Sequence, residues 1–363
     1  MNNKFYEVAL SLAPRVGDQN SKQLISYLGS AEQVLKTPTN KLIKIPGIGA
    51  KTAEGINNKD LLSKADKIIN TCLKQSVTIL YFKDDDYPAK LKEINDSPSL
   101  LYCKGNIDFN SKKSLAIVGT REATRYGKEQ TENLISELKQ IDCTVISGLA
   151  YGIDITAHKK CLDIGLPTYG VMANGIDMVY PWEHSAVAEK MLEYGGLITE
   201  NPPGSKPDAP KFPARNRIIA GMSDATIVIE GTSKGGALIT AEVANSYHRE
   251  VFAVPGNINA NYSKGCNQLI RDHKAHIYTE FSDLTSIMNW GEFEPKKPQK
   301  KPAHLTKQEE VIYDFLLKRE SPCTIDEISR LTQISILELM SLLLKLEFEN
   351  IIRTLPGNEY EIK

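Results

Sequence analysis

Seven short runs dominate the middle of the chain: VTILYF (77–82), SLAIVG (114–119), TVISG (144–148), TYGVMA (168–173), GLITE (196–200), ATIVIEG (225–231) and VFAVPG (251–256). Each is apolar on both faces, and most end at glycine. A strand that faces water on one side alternates apolar and polar residues, whereas one apolar on both sides must be covered twice. Helical segments separate the runs. The pattern therefore predicts an α/β domain over 76–290, with a mostly parallel sheet and crossover helices on both faces. Residues 1–72 read as an all-α unit, with Leu10, Leu12, Leu24, Ile25 and Leu28 at helical spacing. The run EPKKPQKKP (294–302) cannot build a core, and its prolines favour an extended spacer, so 291–303 reads as a linker. In 304–363, helical patterns at 306–318, 324–332 and 335–349 precede IIRTLPGNEYEI, a hairpin with Pro-Gly-Asn at its tip. Three helices and a hairpin describe a winged-helix module.

Composition excludes several classes. The 363 residues carry 44 bases against 45 acids, and 41% are hydrophobic, so wholesale disorder is ruled out. A net charge of −1 also means that any nucleic-acid site must be a local basic patch and not a cationic body. None of the six cysteines is spaced C-x-x-C, which argues against a zinc site or a redox pair. The N-terminus lacks a signal pattern, and no apolar run reaches the ~20 residues that span a bilayer. The expectation is a cytoplasmic protein with reduced thiols and no membrane contact.

Several motifs carry candidate chemistry. IPGIGAKTA (45–53) resembles a helix-hairpin-helix, whose exposed amides attract phosphate, with Lys51 adding charge; a plain capped turn between helices is the alternative. IVGTREATRYG (117–127) delivers Gly119 at a strand end, where Arg121 and Arg125 can pair with phosphate, although this motif taken alone favours Arg121 as a plain surface residue. In SGLAYGIDITAH (147–158), Asp154 and His158 share a helix face. Loop bracing by Asp154 and packing by His158 are expected over a catalytic pair. KFPARNRIIAGMSDATIVIE (211–230) crowds Lys211, Arg215 and Arg217 around Phe212 and Asn216, a mixture that suits single strands because cations take phosphates while a ring stacks a base. A buried Phe212 and an ion-paired Arg215 are the competing reading. GTSKGGALITAEVAN (231–245) offers glycine amides at a helix start beside Lys234, but not the Walker A order. VPGNINANYSKGCNQLI (254–270) reads as a loop and then a helix.

Taken in order, GTR, SGLAYGID-x-x-AH, FPARNRIIAG-x-S, KGGALITAE-x-A, FAVPGNI and GCNQLI resemble the DNA-processing protein A (DprA/Smf) family. The resemblance covers the whole middle region, and the flanking helical and winged-helix parts suit it. It implies an extended Rossmann-like domain that binds single-stranded DNA, and a homodimer that protects incoming strands in natural transformation (competence). It also implies loading of the RecA recombinase. Matched by motif, the DNA pocket would include Arg121, Ser147, Gly148, Phe212, Arg215, Asn216 and Lys234, with Gly235 and Gly236 shaping its floor. Gln268, Leu269 and Ile270 would lie in the self-association segment. Tyr151 departs from the pattern, since many family members carry a basic residue there.

Without a triad, a metal set or a paired-carboxylate pattern in the sequence, binding is favoured over catalysis, with no cofactor. One enzymatic alternative stays open. GGALIT-x-E (235–242) resembles the P-G-G-x-G-T-x-x-E loop of lysine-decarboxylase-like phosphoribohydrolases, in which Arg215 would clamp a phosphate and Glu242 would act on a ribose. A pure scaffold with a vestigial pocket is a third reading. Within 324–350 of the winged helix, the acids Asp326, Glu327, Glu338, Glu347 and Glu349 outnumber the bases Arg330 and Lys345. Phosphates repel such a surface, so this module is expected to bind protein or its own chain and not duplex DNA.

Overall fold

The computed structural model describes residues 3–291, 305–317, 319, 322–349, 351–355 and 357–362. The spacer expected at 291–303 lies outside them except for Gly291, as does Pro356 of the expected hairpin tip. Two compact units are present, Met1–Phe293 and Glu294–Lys363.

The first unit begins with six helices: α1 (Asn3–Ser11), α2 (Asp18–Leu28), α3 (Ala31–Lys36), α4 (Thr39–Leu42), α5 (Ala50–Ile56) and α6 (Asp60–Lys74). Their apolar stripes meet in one cluster, which includes Leu10, Leu24 and Ile25 and extends to Tyr81 and Leu100 of the sheet. The helices are thereby fastened to a sheet edge. Ile45 and Ile48 of the glycine turn are buried in the same cluster, so that turn serves packing.

The sheet has nine strands: β1 (Thr78–Tyr81), β2 (Leu100–Gly105), β3 (Ser114–Val118), β4 (Thr144–Ser147), β5 (Thr168–Val171), β6 (Gly195–Thr199), β7 (Ala225–Val228), β8 (Glu250–Ala253) and β9 (His276–Ile277). Their order is β1-β2-β6-β5-β4-β3-β7-β8-β9. From β6 to β9 all pairings are parallel, with Ile117 of β3 opposite Ile227 of β7. Leu115, Ile117 and Val145 enter one core, and Ala116, Val118 and Ile146 the other, as two-sided burial requires. The VTILYF run departs from the parallel pattern. It is an antiparallel edge strand paired with β2, which in turn runs antiparallel to β6.

Helices α7 (Ala89–Lys92), α8 (Arg125–Leu138), α9 (Ile153–Ile164), α10 (Ser185–Tyr194), α11 (Lys211–Met222), α12 (Gly236–Ser246), α13 (Lys264–Arg271) and α14 (Phe281–Ile287) connect or follow the strands. Among the described residues, no helix is long and apolar enough to cross a membrane.

The second unit contains α15 (Lys307–Leu317), β10 (Cys323–Thr324), α16 (Ile325–Thr332), α17 (Ile336–Phe348), β11 (Ile352–Leu355) and β12 (Glu359–Ile362), with strand order β10-β12-β11. A reciprocal pair, Thr324 and Glu327, caps α16. The arrangement is a winged helix with its own core around Ile312, Leu339 and Leu343. On α17 the side chains of Leu337, Met340, Leu344 and Phe348 form an exposed stripe, with Leu337 at 85% and Phe348 at 78% of full exposure.

Candidate nucleic-acid interface

The chain runs from β3 outward to β6, then returns to the other side of β3 as β7. Neighbouring strands β3 and β7 therefore send their connections in opposite directions, which opens a crevice at their carboxyl ends. An open cavity of about 870 Å³ lies there. Gly119, Thr120 and Arg121 after β3 line it, as do Gly231 and Thr232 after β7, Phe212, Arg215 and Asn216 on α11, and Gly235 and Gly236 at the start of α12. Gly119 is required by close packing, because a Cβ there would collide with the Ile153 side chain.

Phe212 and Asn216 lie four residues apart on α11 and so share its cavity face. The Arg121 guanidinium sits over the Phe212 ring, 5.4 Å from its centroid. The Tyr180 ring also packs near Phe212, tilted, at 5.9 Å between ring centroids. Asn216 accepts a 3.2 Å hydrogen bond from Arg215 Nε through its side-chain oxygen. Its amide nitrogen has no hydrogen bond among the described residues.

Arg215 lies beneath this layer, only 5% exposed. Its Nη1 donates to the Gly148 carbonyl at 2.7 Å and also to the Val171 carbonyl. Asp154 beside it accepts the Gly148 N–H at 3.0 Å and the Ala150 N–H at 3.4 Å. Burial pushes the Arg215 pKa down to about 10, against the attraction of Asp154, while Arg121 adds like-charge repulsion. Burial likewise raises the Asp154 carboxyl, opposed by Arg215. The two charges brace the loops after β4 and β5, and an anion placed between Arg121 and Arg215 would relieve their repulsion. Gly148 has to be glycine, since an added Cβ would stand 2.5 Å from Arg215 Nη2 and 2.6 Å from Asp154 Oδ2.

The remaining candidates divide. Ser147 is buried, and its Oγ donates to the Ile117 carbonyl at 2.6 Å, so it straps β4 to β3 behind the cavity. Lys234 is exposed on the loop between Thr232 and Gly235. Gly235 and Gly236 open α12 at the cavity wall, where helix-start amides favour negative charge. Arg217 does not join Phe212: it pairs with Glu200 and, at 3.1 Å, with Asp18, tying α2 to the sheet. On α13, Gln268 and Ile270 are half-buried, while Leu269 is 3% exposed and belongs to the central core.

Asp154 braces its loop and His158 is packed, as expected. His158 Nδ1 lies 2.7 Å from Thr168 Oγ1, and burial lowers its pKa to about 3, so it is neutral near pH 7. Glu242 points away from the cavity: its side chain is 62% exposed and 3.6 Å from Lys274. A role for it on a ribose bound in the cavity lacks a geometric basis. Tyr180 and Tyr262 are cavity residues that the sequence reading did not single out. Tyr262, whose hydroxyl bonds Glu122, comes from the long loop read as mere connection. Tyr180 follows β5, and its signal was an aromatic residue in a strand-end loop.

The sequence matches the family model described as DNA recombination-mediator protein A over residues 78–289, and the DprA winged helix domain over 295–358. It is 31% identical to Protein Smf of Synechocystis across 98% of both chains. It is 35% identical to the DNA processing protein DprA of Bacillus subtilis across 68% of this chain and 81% of that one. DNA processing protein A of Streptococcus pneumoniae superposes with a TM-score of 0.67 at 31% identity, covering 79% of this chain and 98% of that one. DNA processing protein A of Helicobacter pylori, a structure described for its single-stranded DNA binding mode, superposes at 0.52 with 27% identity, covering 59% and 94%.

Proposed function

This chain belongs to the DNA-processing protein A (DprA/Smf) family, and on that premise we propose that it binds single-stranded DNA in the cavity between β3 and β7. The observation that carries the reading is Arg121 stacked on Phe212 above the buried charge of Arg215, at the open end of the sheet. Cations for the backbone beside a ring for a base form the minimal equipment for gripping a flexible strand. Arg121, Phe212, Asn216 and Lys234 act as direct contacts, with Gly235 and Gly236 presenting amides. Arg215 contributes its field from the floor, and Ser147 and Gly148 hold that floor in place.

The protein acts in DNA processing during uptake and recombination, as a binder and not an enzyme. It protects the strand as a homodimer built on α13 through Gln268 and Ile270, and it passes the strand to the RecA recombinase in the cytoplasm. The recombinase step and the dimer rest on family membership. Against the phosphoribohydrolase reading stands Glu242, outside the cavity and beside Lys274.

A titration with oligo-dT, duplex DNA and nucleoside monophosphates at several salt concentrations tests this. Oligo-dT is expected to bind tightest, with log affinity falling by about 0.7 per phosphate contacted for each log unit of salt. Tight binding of monophosphates with release of free base, lost in Glu242→Gln, would restore the enzymatic reading.

The winged helix takes a protein surface and not duplex DNA. Its acidic residues and the exposed Leu337, Met340, Leu344 and Phe348 stripe support that assignment. A fragment of residues 304–363 is expected to leave duplex unshifted in a gel at low salt. A tight, salt-sensitive shift would refute it.

A further inference from the structure

A second open cavity, of about 790 Å³, lies beyond Arg121 between α8 and α9. The two cavities share Arg121 and Glu122 as common wall. Tyr151 stands at the second one, 43% exposed, in an edge-on contact with His184 at 4.9 Å between ring centroids. His184 belongs to the same short segment as Tyr180, whose ring flanks Phe212. Tyr180 lines the first cavity and Tyr151 the second, so each cavity carries an aromatic side chain. Lys128 of α8 and Lys159 and Lys160 of α9 line the second cavity. None of these lysines makes an ion pair or a side-chain hydrogen bond among the described residues. The acids of the groove are Glu122, engaged by the Tyr262 hydroxyl, and Glu132 and Asp163, both exposed. With Arg121, the three lysines give the groove four cations against three acids, and a strand lying along it would set its phosphates against the ammonium groups.

We infer that the α8–α9 groove is a second segment of the single-strand path: DNA leaving the first cavity crosses Arg121, lays a base on Tyr151 and sets its phosphates against Lys128, Lys159 and Lys160. This rests on the reading of the first cavity as a single-strand site. A strand filling only the first cavity does not reach the lysines, whereas a longer one does. The groove therefore contributes affinity that depends on strand length, and this affinity is lost with salt.

The test uses the full chain and labelled oligo-dT of two lengths, about 5 and about 16 nucleotides, within the range of known single-strand sites. In the triple variant Lys128→Ala, Lys159→Ala, Lys160→Ala, the long strand is expected to bind about tenfold more weakly, with a salt slope shallower by about 2. Tyr151→Ala is expected to weaken the long strand about tenfold through lost stacking. Neither variant changes binding of the short strand, while Arg121→Ala weakens both lengths. Unchanged long-strand affinity and slope in both variants would overturn the second segment, and the groove would then serve another ligand, such as a protein. Equal weakening at both lengths would overturn it as well. If Arg121→Ala alters neither length, the first-cavity reading itself fails.

Discussion

Arg215→Ala is expected to destabilise the first unit by about 3–5 kcal/mol, the usual cost of removing one partner from a buried charge pair. Three losses coincide. Asp154 is left buried without the cation that opposes the upward shift of its carboxyl, the Gly148 and Val171 carbonyls lose their donor, and a void opens under α11. Lysine does not rescue the site, because one ammonium cannot reproduce the forked donation of a planar guanidinium. Urea unfolding followed by tryptophan fluorescence checks this, since both tryptophans, Trp182 and Trp290, lie in the first unit. A variant as stable as the parent would show that the Arg215–Asp154 pair does not hold these loops. Any loss of DNA binding in Arg215→Ala must then be read as loss of the floor as much as loss of a contact.

Arg121→Ala and Phe212→Ala are expected to act on binding instead. Arg121 is exposed, so its removal leaves stability within about 0.5 kcal/mol. Loss of a charge-assisted contact weakens single-strand affinity by about tenfold or more, and the salt slope becomes shallower by about 0.7. Phe212→Ala removes a stacking surface worth ~1–3 kcal/mol per base, with no change of salt slope. The double variant falls short of the sum of the two, because the guanidinium rests on the ring and each substitution already disturbs the other's geometry. Fluorescence anisotropy with oligo-dT at several salt concentrations separates these effects. A pair of variants that bind as the parent does would leave the scaffold reading standing.

The six strands β3 to β8 were legible because apolar residues on both faces leave a strand no place but the middle of a layered domain. The winged helix was legible from three helical periods and a hairpin. LLYCKG (100–105), which forms β2, was not read as a strand, and VTILYF was placed among the parallel strands. Hydrophobicity reports burial, whereas strand direction depends on which neighbour supplies the hydrogen bonds, and β6, which joins β2 to the parallel strands, comes from distant sequence.

Within the site, the sequence by itself named residue types able to hold a polyanion: Arg121, Phe212, Asn216, Lys234 and the paired glycines. Only the tertiary structure decided that Arg121 lies on Phe212, 91 residues further along the chain, since that meeting depends on the reversal of strand order beside β3. It also separated three arginines that composition treats alike. Arg121 faces solvent, Arg215 is a buried brace and Arg217 a tie to α2. Ser147 and Leu269 were turned inward in the same way. A motif states what a side chain could do, but its exposure is set by the elements packed around it, and those come from elsewhere in the chain.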